Sequence, residues 1–491
     1  MRGDVSKPRG VDQDLSRLPM AISHQRKRHE APFISRLSLV TPLAKELPNN
    51  QPISRMLRGV RHVICAIFLL VLPNSAIDAQ SPIPAEIDRR ERQIGSKVVA
   101  WRRDIHEHPE LGNRETRTAK IVADHLRGLG IEVRAGVAHT GVVGVLRGGM
   151  PGKVVALRAD MDALPVTELV NLPFASKVKA TYNGQEVGVM HACGHDAHVA
   201  ILMGVAEILA AIKDQLPGTV KFIFQPAEEG PPSGEEGGAA LMLKEGAFDN
   251  PKPDAVFGLH VWGAGNVGQI GYRSGGTMAS SDVLRITVRG KQTHGALPWA
   301  GVDPVVVSSQ IVLGLQTIAS RQLDVTRTPA IITIGSIHGG VRNNIIPDEV
   351  QLDGTIRAFS PEVQDDMHRR IKLTAESIAA SAGATSDVVI TRQSPVTFNN
   401  PALTEAMLST LRRVAGADMV SEQPLVTAAE DFSLFAQSAP GLFIFLGSTK
   451  TGVDAATAPA NHSPLYEVDE GVLPLGVRAL ASLAADFLSQ R

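Results

Sequence analysis

From about Ile87 onward, short apolar and β-branched runs alternate with longer stretches in which apolar residues recur every three or four positions. The runs Gly141 to Leu146, Val154 to Leu157, Thr219 to Phe224, Ala255 to Leu259 and Leu442 to Leu446 predict strands. Ala119 to Leu129 and Asp196 to Ile212 have helical spacing, and an opening helix through Trp101, Arg102, Arg103 and Ile105 ends near Pro109. Strands alternating with helices imply an α/β sheet.

The pattern changes between residues 277 and 393. It predicts a strand (Val283 to Val288), a helix (Pro304 to Ser320), two strands (Ala330 to Ile337 and Glu349 to Ala358), a helix (Pro361 to Ala382) and a strand (Asp387 to Thr391). This β-α-β-β-α-β order predicts a ferredoxin-like α+β insertion. The α/β domain then occupies residues 84–276 and resumes over 394–491.

The N-terminal 79 residues are of another kind. Twelve Lys/Arg against six Asp/Glu give them a net charge of +6, which leaves 37 against 44, or −7, for residues 80–491. Arg58 and Arg61 precede ten apolar residues, Val63 to Leu72, followed by Pro73 and small or polar residues to Ala79. This layout predicts a secretory signal peptide over 56–79, and ten apolar residues are too few to span a bilayer. Residues 1–55, basic and without periodicity, read as an extension upstream of a start at Met56. The expected mature protein is secreted and periplasmic, with no membrane span. Its acidic balance, with no basic stripe, argues against a nucleic-acid partner.

Removal of the signal would also remove Cys65, leaving Cys193 as the only thiol. Cys193 stands between His191 and His195, with Asp196 and His198 close behind. Thiolate and imidazole suit zinc-like ions, and a carboxylate can orient a ligating imidazole, so Cys193, His195 and Asp196 read as a metal site. A free cysteine is also a common small buried hydrophobe, and on this segment alone both readings stand. Position decides between them. Asp160 and Asp162 follow one predicted strand, Glu228 and Glu229 another, and His260 a third. In α/β sheets ligands bind beyond the carboxyl ends of strands. Adjacent Glu228 and Glu229 point different ways, so one can bind metal while the other faces an activated water, the equipment of an amide hydrolase. No phosphate loop, dinucleotide fingerprint or nucleophile elbow competes. His106 and His108 lack zincin spacing and read as structural.

Seven runs, Arg158 to Pro165, Met190 to His198, Phe224 to Glu229, Gly258 to Val261, Asn344 to Asp348, Gly354 to Arg357 and Glu430 to Phe432, together resemble the M20 metallopeptidases. The resemblance is to the branch of hippurate hydrolases, auxin-conjugate hydrolases and N-acyl-amino-acid amidohydrolases. It implies a catalytic α/β domain with a mixed central sheet and an inserted dimerisation and lid domain. It implies two divalent ions (zinc, manganese, cobalt or nickel) held by Cys193, His195, Glu229, His260 and His462, with Cys193 bridging. Glu228 would be the general base, and Asp162 would orient the site. His294 would reach the active site of a partner subunit in a homodimer and stabilise the oxyanion. Asn344 and Arg357 match positions associated with the substrate carboxylate. Glu430 and Asp431 read as structural neighbours of the pocket, and His191 and His198 as supporting residues.

The chain departs from the pattern at Gln292 to Trp299, where Trp299 replaces a second histidine. If this loop borders the acyl pocket, bulky acyl groups are favoured. The expected reaction is hydrolysis of the amide of an N-acyl amino acid or short peptide with a free carboxylate. A carboxypeptidase or dipeptidase using the same site is the alternative, and a non-catalytic peptide-binding protein is the reading from another class.

Overall fold

A computed structural model describes residues 82–490. The expected extension, signal peptide and Cys65 lie outside the described residues.

The central sheet has eight strands, in the order Glu132–Val137, Gly141–Arg147, Pro217–Gln225, Met150–Asp160, Ala255–Asn266, Gly441–Thr449, Ile270–Tyr272 and Val420–Glu422. The four from Pro217–Gln225 to Gly441–Thr449 are parallel neighbours, while Gly141–Arg147 and Glu132–Val137 add antiparallel pairings at one side. Parallel strands need cover on both faces, and alternate residues supply it. Val155, Leu157, Phe222, Phe224 and Phe257 pack under the helices Pro82–Glu107, His195–Ala211 and Val472–Ser489. Ala156, Ile223, Val256 and Phe443 face the short helices Gly238–Lys244 and Phe432–Ser438. Val472–Ser489 is long and apolar enough to cross a membrane, but it lies 78% buried within this core.

A second sheet has the order Ile331–Gly339, Glu349–Arg357, Ser281–Arg289 and Thr385–Ser394, all antiparallel. Leu284, Ile286 and Val288 point to the helices Pro304–Thr317 and Pro361–Ser381. Val283, Arg285 and Thr287 leave the other face open or only partly covered. This is the ferredoxin-like α+β insertion expected from the β-α-β-β-α-β order, and its one-sided antiparallel sheet alternates buried with more exposed positions. Its helices start at strong signals: Asp303 and Ser360 cap the first turns, each directly before a proline.

One strand runs further than expected. Ala255–Asn266 continues well past Leu259, because Gly441–Thr449 remains paired to it beyond His260. On its other side, pairing with Met150–Asp160 ends at Arg158 opposite Gly258, so His260 projects just past the shared ladder.

Candidate active site

Register builds the site. Asp160 pairs with Gln225, so the two strands end together and their chains leave the sheet side by side, one into Asp162 and the other into Glu228 and Glu229. Gly194 makes the third approach. Its φ of 93° turns the chain sharply between Cys193 and the helix that begins at His195. The fourth comes from the C-terminal segment, where His462 (φ 72°) donates its backbone N–H to Ala192 O at 2.8 Å.

These approaches bring the five expected ligand positions together. Cys193 Sγ lies 3.3 Å from His260 Nε2 and 3.2 Å from His462 Nε2. His462 Nε2 is 3.1 Å from Glu229 Oε1, and His195 Nε2 is 4.0 Å from Glu228 Oε2. Two groups of donor atoms, Cys193 with His195 and His260, and Cys193 with Glu229 and His462, share the sulfur. Each fits an ion. His195 donates from Nδ1 to Asp162 O at 2.8 Å and His260 from Nδ1 to Val261 O at 2.7 Å, so each Nε2 lone pair is left facing the cluster. His195 Nε2 is buried with no hydrogen-bond partner. Such an orphaned polar atom is costly unless a partner such as a cation meets it. Burial and the charges of Glu229 and Glu228 push the Cys193 thiol well above its usual range. Burial pulls His260 well below its usual range, keeping its ring neutral and able to bind a metal.

The surrounding residues hold these donors. Asp162 stands behind His195 and accepts the Glu229 N–H at 2.9 Å. Arg158, fully buried, donates to Gln225 (2.8 Å), Asp160 (2.6 Å), Glu430 (2.8 Å) and Asp431 (3.0 Å). Glu430 and Asp431, read from the sequence only as structural neighbours of the pocket, are counter-charges of a guanidinium. His198 is occupied at both nitrogens, by Asp160 at 2.5 Å and by the Val261 N–H at 2.8 Å, and has a supporting place. Asp196 corrects the first reading of the cysteine segment. One helical position past His195, it turns away from the cluster to a buried pair with Arg102 at 2.7 Å and a contact with His106 at 2.9 Å.

The cluster opens into a cleft of ≈ 420 Å³, whose lining includes Glu228, Trp262, Met278 and Arg357. Arg357 has no carboxylate partner among the described residues, and its nearest polar contact is Ser280 O at 3.5 Å. The Glu228 carboxylate is raised well above its ordinary range by burial and by Glu430, Glu229 and Asp431. His294 and Asn344 are not brought to this cleft. His294 sits on a two-strand ladder with Ile345–Ile346 and Asn344 in the turn just before that strand, both exposed, with Gly295 N–H donating to Asn344 O at 2.8 Å. Trp299 is 78% exposed and lines no part of its own chain's cleft, so the expectation that it shapes the acyl pocket fails within one chain. Asn461 is a residue that motif reading passed over. It donates to Cys193 O (3.0 Å) and Val261 O (3.1 Å), and its only signal was adjacency to His462.

Two neighbouring ion positions on the rim of an α/β sheet, with an uncommitted carboxylate beside them, define a dinuclear metal-dependent hydrolase. Residues 156–486 match the model of peptidase family M20/M25/M40, and the chain belongs to that family. It is 44% identical over 398 residues to thermostable carboxypeptidase 1 of Saccharolobus solfataricus, covering 81% of this chain and 96% of that protein. It is 39% identical over 448 residues to IAA-amino acid hydrolase ILR1-like 2 of Arabidopsis thaliana, covering 88% and 97%. The solved structure of the Bacillus subtilis YXEP protein, a dinuclear metal binding peptidase, superposes with a TM-score of 0.68 at 32% identity, over 82% of this chain and all of that one.

Proposed function

We propose that this hydrolase cleaves the amide of an N-acyl amino acid or short peptide that carries a free carboxylate. Arg357 carries the reading. An unpaired, partly buried guanidinium in the cleft that holds the donor cluster is suited to bidentate capture of a carboxylate. Cys193, His195, Glu229, His260 and His462 would hold two divalent ions, Cys193 belonging to both groups of donor atoms. The ions, when bound, supply a water of lowered pKa and an electrophilic contact for the scissile carbonyl. Glu228 then accepts the nucleophile's proton and returns it to the leaving nitrogen. Asp162 orients His195 and the Glu229 backbone. The donor set admits zinc, manganese, cobalt or nickel, with the thiolate favouring the softer ions. A carboxypeptidase or dipeptidase activity uses the same groups, and the relatives carry names of both kinds.

The working unit in this reading is a homodimer. Val305, Val306 and Leu313 expose one face of Pro304–Thr317, and Ile331–Gly339 is an edge strand of the sheet on which that helix packs. A second copy covering this surface would deliver His294 and Asn344 to the other chain's cleft, where His294 would stabilise the oxyanion and Asn344 the carboxylate. The 277–393 unit would then serve as dimerisation and lid domain. Secretion to the periplasm rests on the basic-then-apolar layout of 56–79, and N-terminal sequencing of the exported protein tests it.

A screen of N-acetyl amino acids, N-benzoyl amino acids and dipeptides, with each metal added to apo-protein, tests the activity. Hydrolysis is expected only for substrates with a free carboxylate. Equal rates on the matching carboxamides would remove Arg357's assigned role.

A further inference from the structure

The Glu228 carboxylate makes no side-chain hydrogen bond among the described residues, and its nearest charged neighbour in the donor cluster, His195 Nε2, is 4.0 Å away. Its aim is therefore set by its backbone. That backbone is unusual: Ala227, directly before it, has φ of 51°, a left-handed conformation that costs a non-glycine residue about 1 kcal/mol or more. Something must hold it there. Glu229 N–H, on the far side, is fixed by Asp162 Oδ2 at 2.9 Å. Ala227 N–H, on the near side, donates to Glu115 Oε1 at 2.8 Å.

Glu115 has no other evident task. It occupies the position before the helix Thr116–Gly128 where a side chain would ordinarily cap the first turn, yet it makes no capping bond. Glu110 does so instead, accepting from Arg117 N–H at 2.9 Å and Thr118 N–H at 2.8 Å. Glu115 instead turns inward and is fully buried, with its second oxygen held by the Thr140 hydroxyl at 2.5 Å. The turn that carries it also presses on the same loop: a Cβ on Gly112 would meet Gly230 O at 2.9 Å and Ala227 Cα at 3.2 Å.

We infer that Glu115 is a positioning residue for Glu228: with Asp162 it grips the peptide N–H groups on either side of the base and fixes the strained loop that aims it. This inference rests on the assignment of Glu228 as the base. Errors of about 1 Å in such placement cost roughly 10²-fold in rate, and the effect belongs in kcat because Glu115 touches no substrate.

The test compares Glu115→Ala and Glu115→Gln in the metal-loaded enzyme, with Glu228→Gln alongside, on whichever screened substrate is turned over. A glutamine keeps the contact, since its carbonyl accepts from Ala227 N–H while its amide donates to Thr140 Oγ1. Glu115→Ala should lower kcat by about 10²-fold with KM and metal content unchanged, and Glu115→Gln should restore most of it. Hydrogen exchange of the 226–232 backbone should rise in the alanine variant and return to normal in the glutamine variant. Wild-type kcat in a folded Glu115→Ala enzyme, or equal impairment of the two variants, overturns the inference. If the alanine variant does not fold, Thr140→Val loosens the same carboxylate, and wild-type kcat there overturns it as well. An inactive Glu228→Gln beside a fully active Glu115→Ala removes the positioning role alone, whereas an active Glu228→Gln removes the assignment beneath it.

Discussion

Hydrogen bonds decide which histidine nitrogens face the metal cluster and which histidines only brace the fold. His195 and His260 donate from Nδ1 to backbone carbonyls and keep Nε2 for the site, whereas His106 is held at both nitrogens, by Asp196 at 2.9 Å and Glu168 at 3.2 Å. Burial alone would lower the pKa of His106, but the charge and hydrogen bond of Asp196 and the hydrogen bond to Glu168 outweigh it and raise the value to about 8, from 6.5. The folded state thus binds this proton more tightly than the unfolded chain does. The resulting stability is fully present below about pH 6.5 and is lost as pH rises through about 8, and the shift corresponds to about 2 kcal/mol. Urea unfolding of the wild type and His106→Gln at pH 6 and pH 9 checks this. The wild type should lose about 2 kcal/mol more than the variant across that range, and parallel losses would contradict the assignment.

At the scale of elements, the turn into His195–Ala211 is the most demanding join. Gly194 has φ of 93°, and a Cβ there would lie 2.3 Å from Val261 Cγ2, on the strand that carries His260. Gly194→Ala should therefore cost about 2–4 kcal/mol, from left-handed strain plus overpacking. It should also weaken metal binding by displacing Cys193 and His195 together, as read by a melting curve and metal content. An unchanged melting temperature with full metal content would count against this account of the turn. The join also shows what could be read from the chain. Alternation of apolar runs located the four neighbouring parallel strands from Pro217–Gln225 to Gly441–Thr449 but not the short parallel pair Ile270–Tyr272 and Val420–Glu422, and strand ends located Asp160, Glu228 and Glu229, because ligand sites on such sheets follow strand termini. His260 was placed at a strand end although its strand continues, since only one of its two neighbours stops there. Asp196 was misread because helical geometry turns successive side chains by about 100°, which sequence adjacency to His195 hides. Glu115 was invisible: its partner Ala227 lies 112 positions away, and no local pattern marks a carboxylate that binds a distant backbone N–H.

At the scale of the whole molecule, one chain assembles the metal cluster, Glu228 and Arg357 but leaves His294 and Asn344 outside its own cleft. If a partner supplies them, two inactive variants can complement each other. Co-expressed Glu228→Gln and His294→Ala chains form mixed dimers in which one site has an intact Glu228 and receives His294 from the other chain. Activity should reappear at up to about a quarter of wild type, since random pairing makes half the dimers mixed and each mixed dimer has one working site. No recovery in demonstrably mixed dimers would place His294 in the cleft of its own chain. The central claim, that this chain is a dinuclear metal hydrolase with Glu228 as its base, is tested most directly by counting metal and turnover together in the wild type and in Glu228→Gln. The account predicts two ions per chain in both proteins and turnover only in the wild type. Near-wild-type turnover by Glu228→Gln, or full activity with no bound metal, would contradict it.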